Sequence, residues 1–250
     1  HVCFNREGFH NHIPHHLLAL YGTGASAKVL QKGFGENTSY QWPAKPLHEH
    51  LATAEDLHQH RGNANYYPDF LRFYQREIEA KGWQAVMSKQ LFSGDDASED
   101  LLLRIFSGFF HPMIQLMCAL EFQQPAIVAE ALAQAAVHGK DDNGFLLESE
   151  RLANANPSAA EKMGPIIDLV KAVRADEALA TAATAGQVDQ VSQGVLRYAK
   201  DELIKIGARV KAKPEELDER TAEMYDACMY MAVSAAMHPI KHPEFDFWLV

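Results

Sequence analysis

Cysteine is scarce in these 250 residues, and Cys3, Cys118 and Cys228 are far apart and odd in number. That spacing encodes neither a disulfide framework nor a CxxC metal knuckle, and it points to a reducing compartment. Long apolar runs are also missing; Leu101 to Ile105 falls far short of the ~20 residues a bilayer span needs. Nor does a basic segment followed by an apolar stretch mark a secretory leader, so a cytoplasmic protein is expected. Lys and Arg number 23 against 33 Asp and Glu, a formal charge of −10, which argues against a protein that coats nucleic acid or rests on anionic membrane. HExxH, Walker A and GxSxG motifs are absent. Gly22-Thr-Gly24-Ala-Ser-Ala27 has the letters of a dinucleotide fingerprint but follows a helical pattern where that motif needs a strand. His10-Asn-His12 spells a nuclease motif without the ββα context that chemistry requires.

Clean two-residue alternation is rare, whereas apolar residues recur at three- and four-residue spacings, so the chain reads as all-α with a loop-rich N-terminal quarter. Pro14 opens a helix carrying Leu17, Leu18, Leu20 and Tyr21, which Gly22 and Gly24 weaken or end. Lys32 to Pro46 reads as loop. Pro68 starts a helix with Phe70, Phe73, Tyr74 and Ile78 on one stripe and Gly82 at its end. Two apolar helices, Leu101 to Phe106 and Pro112 to Phe122, are broken at Gly108-Phe-Phe-His111, and Pro125 opens a third that Gly139 closes. Asp141 to Gly144 is a turn, and Ser158 with Glu161 matches a capping box. Ala172 to Lys205 is amphipathic, and Pro214 starts a long segment reaching His238. The aromatic stripe and the methionines Met224, Met229, Met231 and Met237 are assigned to the core. With 250 residues the chain can form one large domain or two small ones. It opens on His1 rather than Met and ends inside Phe245-Asp-Phe-Trp-Leu-Val, as expected for part of a longer protein.

Histidine is the abundant exception, with 13 residues. His12 and His16 are four apart, as are His238 and His242, so each pair shares a helix face and can share a metal ion. Lys241 lies on the His238 face. His111 begins one apolar helix and His138 ends another, where a lone imidazole is costly to bury without a partner. Each alone reads as a capping or core histidine; together they point to a shared metal. His48, His50, His58 and His60 lie in polar surroundings and read as solvated surface.

The segments carrying these histidines, Asn11-His-Ile-Pro-His-His-Leu-Leu, Tyr67-Pro-Asp-Phe-Leu-Arg-Phe-Tyr, Gly108-Phe-Phe-His-Pro-Met-Ile-Gln, Ala129-Glu-Ala-Leu-Ala-Gln-Ala-Ala-Val-His and His238-Pro-Ile-Lys-His-Pro-Glu-Phe, occur in order from end to end. Together they resemble the questin oxidase-like family of fungal aromatic polyketide pathways, which opens the central ring of anthraquinones by inserting oxygen. The resemblance implies one mostly helical domain over residues 1–250 of a longer chain. It also implies a mononuclear non-haem iron held by histidines and a carboxylated lysine. On that likeness His16, His111, His138, His238 and Lys241 form the ligand set, Lys241 as its carbamate also being the catalytic residue, with His12, His15 and His242 in reserve. Phe109, Phe110, Met113, Gln115, Phe245 and Trp248 are the candidate substrate contacts. Fe(II) is the implied cofactor, NADPH a candidate external reductant, and an anthraquinone-type polyketide and O2 the small-molecule partners of a mono- or dioxygenase. The sequence departs from the family at Gln115, where members commonly carry a second histidine. Two other readings share the residues: a metal-dependent hydrolase with a carboxylated lysine, and a homologue that binds ligand without catalysis.

Overall fold

The computed structural model describes residues 3–4, 10–48, 53–140, 144–155, 163–183 and 190–236. The fold is all-α; among the described residues the only β-pairing is an isolated bridge between Phe4 and His10. They fall into two compact units, within His1–Asn143 and Gly144–Val250. No helix among them is long and apolar enough to cross a membrane.

The first unit contains α1 (Ile13–Gly22), α2 (Ala27–Thr38), α3 (Ala54–His58), α4 (Tyr67–Lys81), α5 (Trp83–Phe92), α6 (Asp96–Ile105), α7 (His111–Glu121) and α8 (Pro125–Val137). Pro14, Pro68, Pro112 and Pro125 each stand in a first helical turn, where a missing N–H costs nothing. Thr53 forms a capping box with Asp56, and Asp95 accepts from the Ser98 N–H.

Helix α8 is the axis of this unit. Every residue from Val128 to Val137 is buried, and α4, α6 and α7 pack on it. Five of those residues are alanines, whose small side chains let neighbouring helix backbones approach closely. Phe70, Leu71, Tyr74 and Ile78 supply the buried stripe of α4, confirming the aromatic residues as core. At the far end of α8, Arg104 donates to the His138 carbonyl and is held by Asp100, which also binds Arg61 and Lys140. Burial pushes the Asp100 carboxyl up. Hydrogen bonds from Arg104, Lys140 and Arg61 outweigh this and hold it well below the usual carboxylate range.

Three sequence expectations are corrected. The stretch from Lys32 to Pro46 is helical through Thr38, because Gly33 lets α2 press against α1: a Cβ there would stand 3.0 Å from Leu20 and 3.5 Å from His16. Ala172 to Lys205 is not continuous. In the second unit α9 (Gly144–Ala155) is followed by α10 (Ile166–Ala175), α11 (Glu177–Ala182), a π-turn at Val191–Val195, α12 (Leu196–Tyr198) and α13 (Lys200–Gly207). Asp176 ends α10 and its side chain caps α11 at the Leu179 N–H. Finally, Met224 and Met229 are exposed, since α14 (Leu217–Ala236) turns Arg220 and Ala227 inward instead. Arg220 donates to the carbonyls of Met163 and Gly164 and pairs with Glu223. The proposed capping box at Ser158 and Glu161 lies outside the described residues, as does Met237.

Phe70 is fully enclosed against α8. Replacing it with alanine is expected to cost about 3–5 kcal/mol, read as a fall in the midpoint of chemical denaturation; a loss below 1 kcal/mol would contradict the packing described.

Candidate active site

Four histidines from three places in the chain meet at one end of α8. His10 precedes α1, paired with Phe4 through the bridge, and the Asn11 N–H donates to the Cys3 carbonyl at 2.9 Å. Asn11 then accepts from the Ile13 N–H at 3.1 Å, and α1 begins. This arrangement puts His10 and His12 at the edge of α7. His111 is the first residue of α7, and His138 follows the last residue of α8.

Their rings are in direct contact. His10 Nε2 lies 2.6 Å from His138 Nε2, and His12 Nε2 lies 2.9 Å from His111 Nε2. His10 stacks on His111 with centroids 4.1 Å apart. His15, one turn beyond His12, adds a fifth ring at 5.1 Å from His12 and 6.5 Å from His111. Phe4 packs against both His10 and His138 and shields that side.

The backbone before α7 is bent to make this possible. Gly108, Phe109 and Phe110 have φ of 59°, 53° and 62°, three successive residues in the left-handed region. For the two phenylalanines that conformation costs about 1–3 kcal/mol each. It aims the Gly108 carbonyl at His111, whose Nδ1–H donates to it at 2.8 Å. That hydrogen bond makes His111 Nε2 the acceptor facing His12 Nε2. Gly108 is needed twice over, for its φ and because a Cβ would stand 2.7 Å from the His138 ring and 3.1 Å from His10.

Burial, then the neighbouring imidazoles, push His10 down to about 3. Burial and neighbouring rings also lower His12, and burial lowers His15 against an opposing hydrogen bond from Gln115. Those three rings are therefore held toward the neutral imidazole, the form that ligates metals. Among the described residues no three His, Cys, Asp or Glu side chains converge on one point as metal ligands; the rings pair nitrogen to nitrogen. In donor type the residues nevertheless fit an imidazole-bound transition metal. With metal–nitrogen bonds of about 2.1 Å, two ligands at right angles stand ~3.0 Å apart, close to the His12–His111 separation and wider than the 2.6 Å between His10 and His138.

Of the expected ligands, His111 and His138 are brought together. His16 stands apart: its Nδ1 accepts from the Asn37 amide of α2 at 3.0 Å, and its ring makes no stacking contact with the cluster. The reserves His12 and His15 take its place, and His10, which sequence reasoning did not propose, completes the group. Its role was hidden because it lies before any helix. His238, Lys241, His242, Phe245 and Trp248 lie outside the described residues. Phe109 is 80% exposed and Phe110 is exposed beside it, so they flank the cluster without enclosing it, while Met113 packs against the core. Gln115 is corrected as a substrate contact: it is 1% exposed, with both ends of its amide engaged by protein groups. A cleft of about 330 Å³ beside His48 and Tyr66 includes none of these imidazoles.

A group whose folded pKa is depressed contributes stability present above its unfolded value and lost as pH falls. For His10 that window runs from about 6.5 down to about 3. Taking metal-free protein from pH 7 to pH 5 should cost roughly 2 kcal/mol through His10, measured by denaturant unfolding against His10→Gln. Equal losses in both proteins would contradict a buried neutral His10. Gly108→Ala should separate the rings and lower the melting temperature markedly; an unchanged melting temperature would show that the left-handed turn is not required.

The questin oxidase-like family model matches residues 9–250. A questin oxidase from Aspergillus fumigatus is 34% identical over 256 residues, 99% of this chain and 57% of that protein. An oxidoreductase from Aspergillus parasiticus is 37% identical over 249 residues, 96% of this chain and 49% of its own length. A Baeyer-Villiger monooxygenase from a Cryptosporiopsis species is 34% identical over 256 residues, 99% of this chain and 57% of its own. The chain thus spans about half the length of the curated relatives it matches. With the family model covering nearly all of it, the chain belongs to the questin oxidase-like family.

Proposed function

We propose that this chain carries the metal-holding part of a non-haem iron oxygenase that cleaves the ring of an anthraquinone-type aromatic polyketide in secondary metabolism. The observation that carries this reading is the meeting of the His10, His12, His15, His111 and His138 rings beside exposed aromatic side chains. The relatives' names, questin oxidase and Baeyer-Villiger monooxygenase, supply the reaction class.

His10, His12, His111 and His138, with His15 beside them, would hold Fe(II), and His238 and the carbamate of Lys241 remain the proposed further ligands. Bound iron would supply the one-electron steps by which O2 reacts with an aromatic substrate. The protein's own contribution is distinct. His111 turns its Nε2 lone pair toward His12 by donating Nδ1–H to the Gly108 carbonyl. Phe4 and the apolar surroundings of α8 keep water from the back of the rings. Phe109 and Phe110, next to His111 in the chain, offer two aromatic faces for a planar polycyclic substrate. NADPH is the proposed external reductant.

Elemental analysis of anaerobically purified protein should find close to one equivalent of iron. His111→Ala should lose iron and O2 uptake with hydroxyanthraquinones together. Zinc in place of iron would favour a hydrolase, and no metal after reconstitution would leave a binding protein. Comparing O2 uptake with and without NADPH tests the reductant.

A further inference from the structure

Behind the imidazoles lies a buried polar chain. His15 Nδ1 stands 3.0 Å from Gln115 Oε1, and Gln115 Nε2 donates to Glu130 Oε2 at 3.1 Å. Gln115 is 1% exposed and Glu130 2%, the latter a carboxylate set in the apolar stretch from Val128 to Val137. The direction of this chain follows from what each group can do. A carboxylate only accepts, so the Gln115 amide must turn its NH2 toward Glu130. Its oxygen then faces His15, and an oxygen only accepts, so His15 must carry its proton on Nδ1. Its Nε2 is left as a bare lone pair, the same state that the Gly108 carbonyl imposes on His111.

We propose that Glu130, acting through Gln115, is a positioning residue that sets the tautomer of His15 and makes it a donor for the metal. On this view Gln115 is a hydrogen-bond translator: it converts an acceptor on α8 into an acceptor for a ring on α1, which a single carboxylate at that depth does not reach. The proposal rests on the metal reading for its consequence, but the tautomer it assigns holds in metal-free protein.

The test uses the whole chain, labelled with ¹⁵N and freed of metal, and reads the His15 tautomer from two-bond proton–nitrogen correlations. Wild type should show the Nδ1–H form. Glu130→Gln keeps the shape, replaces the carboxyl by a group that both donates and accepts and so frees the Gln115 amide to turn, so His15 should become a mixture of tautomers. Cobalt(II) titration of the same proteins should show binding weakened about 10–100-fold in Glu130→Gln. Combining Gln115→Glu with Glu130→Gln restores an acceptor facing His15, now a carboxylate at position 115 that also accepts from the amide at 130. It should recover both the tautomer and cobalt affinity, a rescue that a merely structural role for Glu130 would not produce. Unchanged tautomer and affinity in folded Glu130→Gln, or no recovery in the double variant, would overturn the proposal. Wild type that binds no cobalt would overturn the metal reading, while the tautomer measurement would still decide the relay.

Discussion

Two imidazole nitrogens 2.6 Å apart leave room for one proton between them. Four rings joined in two such contacts therefore cannot all be charged, and the surroundings of the cluster hold them in place. Burial lowers His10, His12 and His15, and each ring lowers its neighbours further. Within each pair one ring donates and the other accepts, and fixed partners orient the rings: the Gly108 carbonyl for His111 and the Gln115 amide for His15. The Asn37 amide acts with the opposite polarity on His16, donating to its Nδ1 and tying that ring to α2.

Holding rings so close demands rigidity from the backbone, and each supporting feature can be traced to it. The left-handed turn at Gly108, Phe109 and Phe110 is unfavourable in isolation and persists because His10, His111 and His138 occupy the space it leaves. The carbonyl of His138 is clamped by Arg104, which Asp100 holds in turn while also binding Arg61 and Lys140. This network lies at the C-terminal end of α8, where cations also complement the helix dipole. The alanines of α8 serve the same end by letting α4, α6 and α7 close around one axis.

Much of this was legible in the sequence where one local rule decides the outcome. Prolines at first turns placed the starts of α1, α4, α7 and α8, and Gly82 placed the end of α4. The rule failed where tertiary contact overrides propensity: Gly33 and Gly35 suggest a loop, yet α2 runs through both because Gly33 is where α1 and α2 touch. In the site, His111 and His138 stood out as single imidazoles at the ends of apolar helices. Three histidines within five residues were harder. Neighbours on a helix differ by about 100°, so the choice among His12, His15 and His16 depends on where α1 starts, and there the Asn11 side chain accepts from the Ile13 N–H just before the first turn. His10 was illegible because its placement comes from pairing with Phe4, a contact outside any periodic element.

Gln115 shows why a departure from a family pattern has to be judged by contacts. Set against members that commonly carry histidine there, it resembles a lost ligand. In the fold it lies fully enclosed between a ring on α1 and a carboxylate on α8, using both ends of its amide. An amide suits that position because it accepts at one end and donates at the other, without a charge to desolvate. Removing it would strand Glu130 in an apolar helix without the amide N–H it accepts from, and would leave His15 free to place its proton on either nitrogen. The residue that makes the sequence look degenerate is thus the one that connects the buried Glu130 carboxyl to the histidine cluster, and the orientation of His15 depends on that connection being intact.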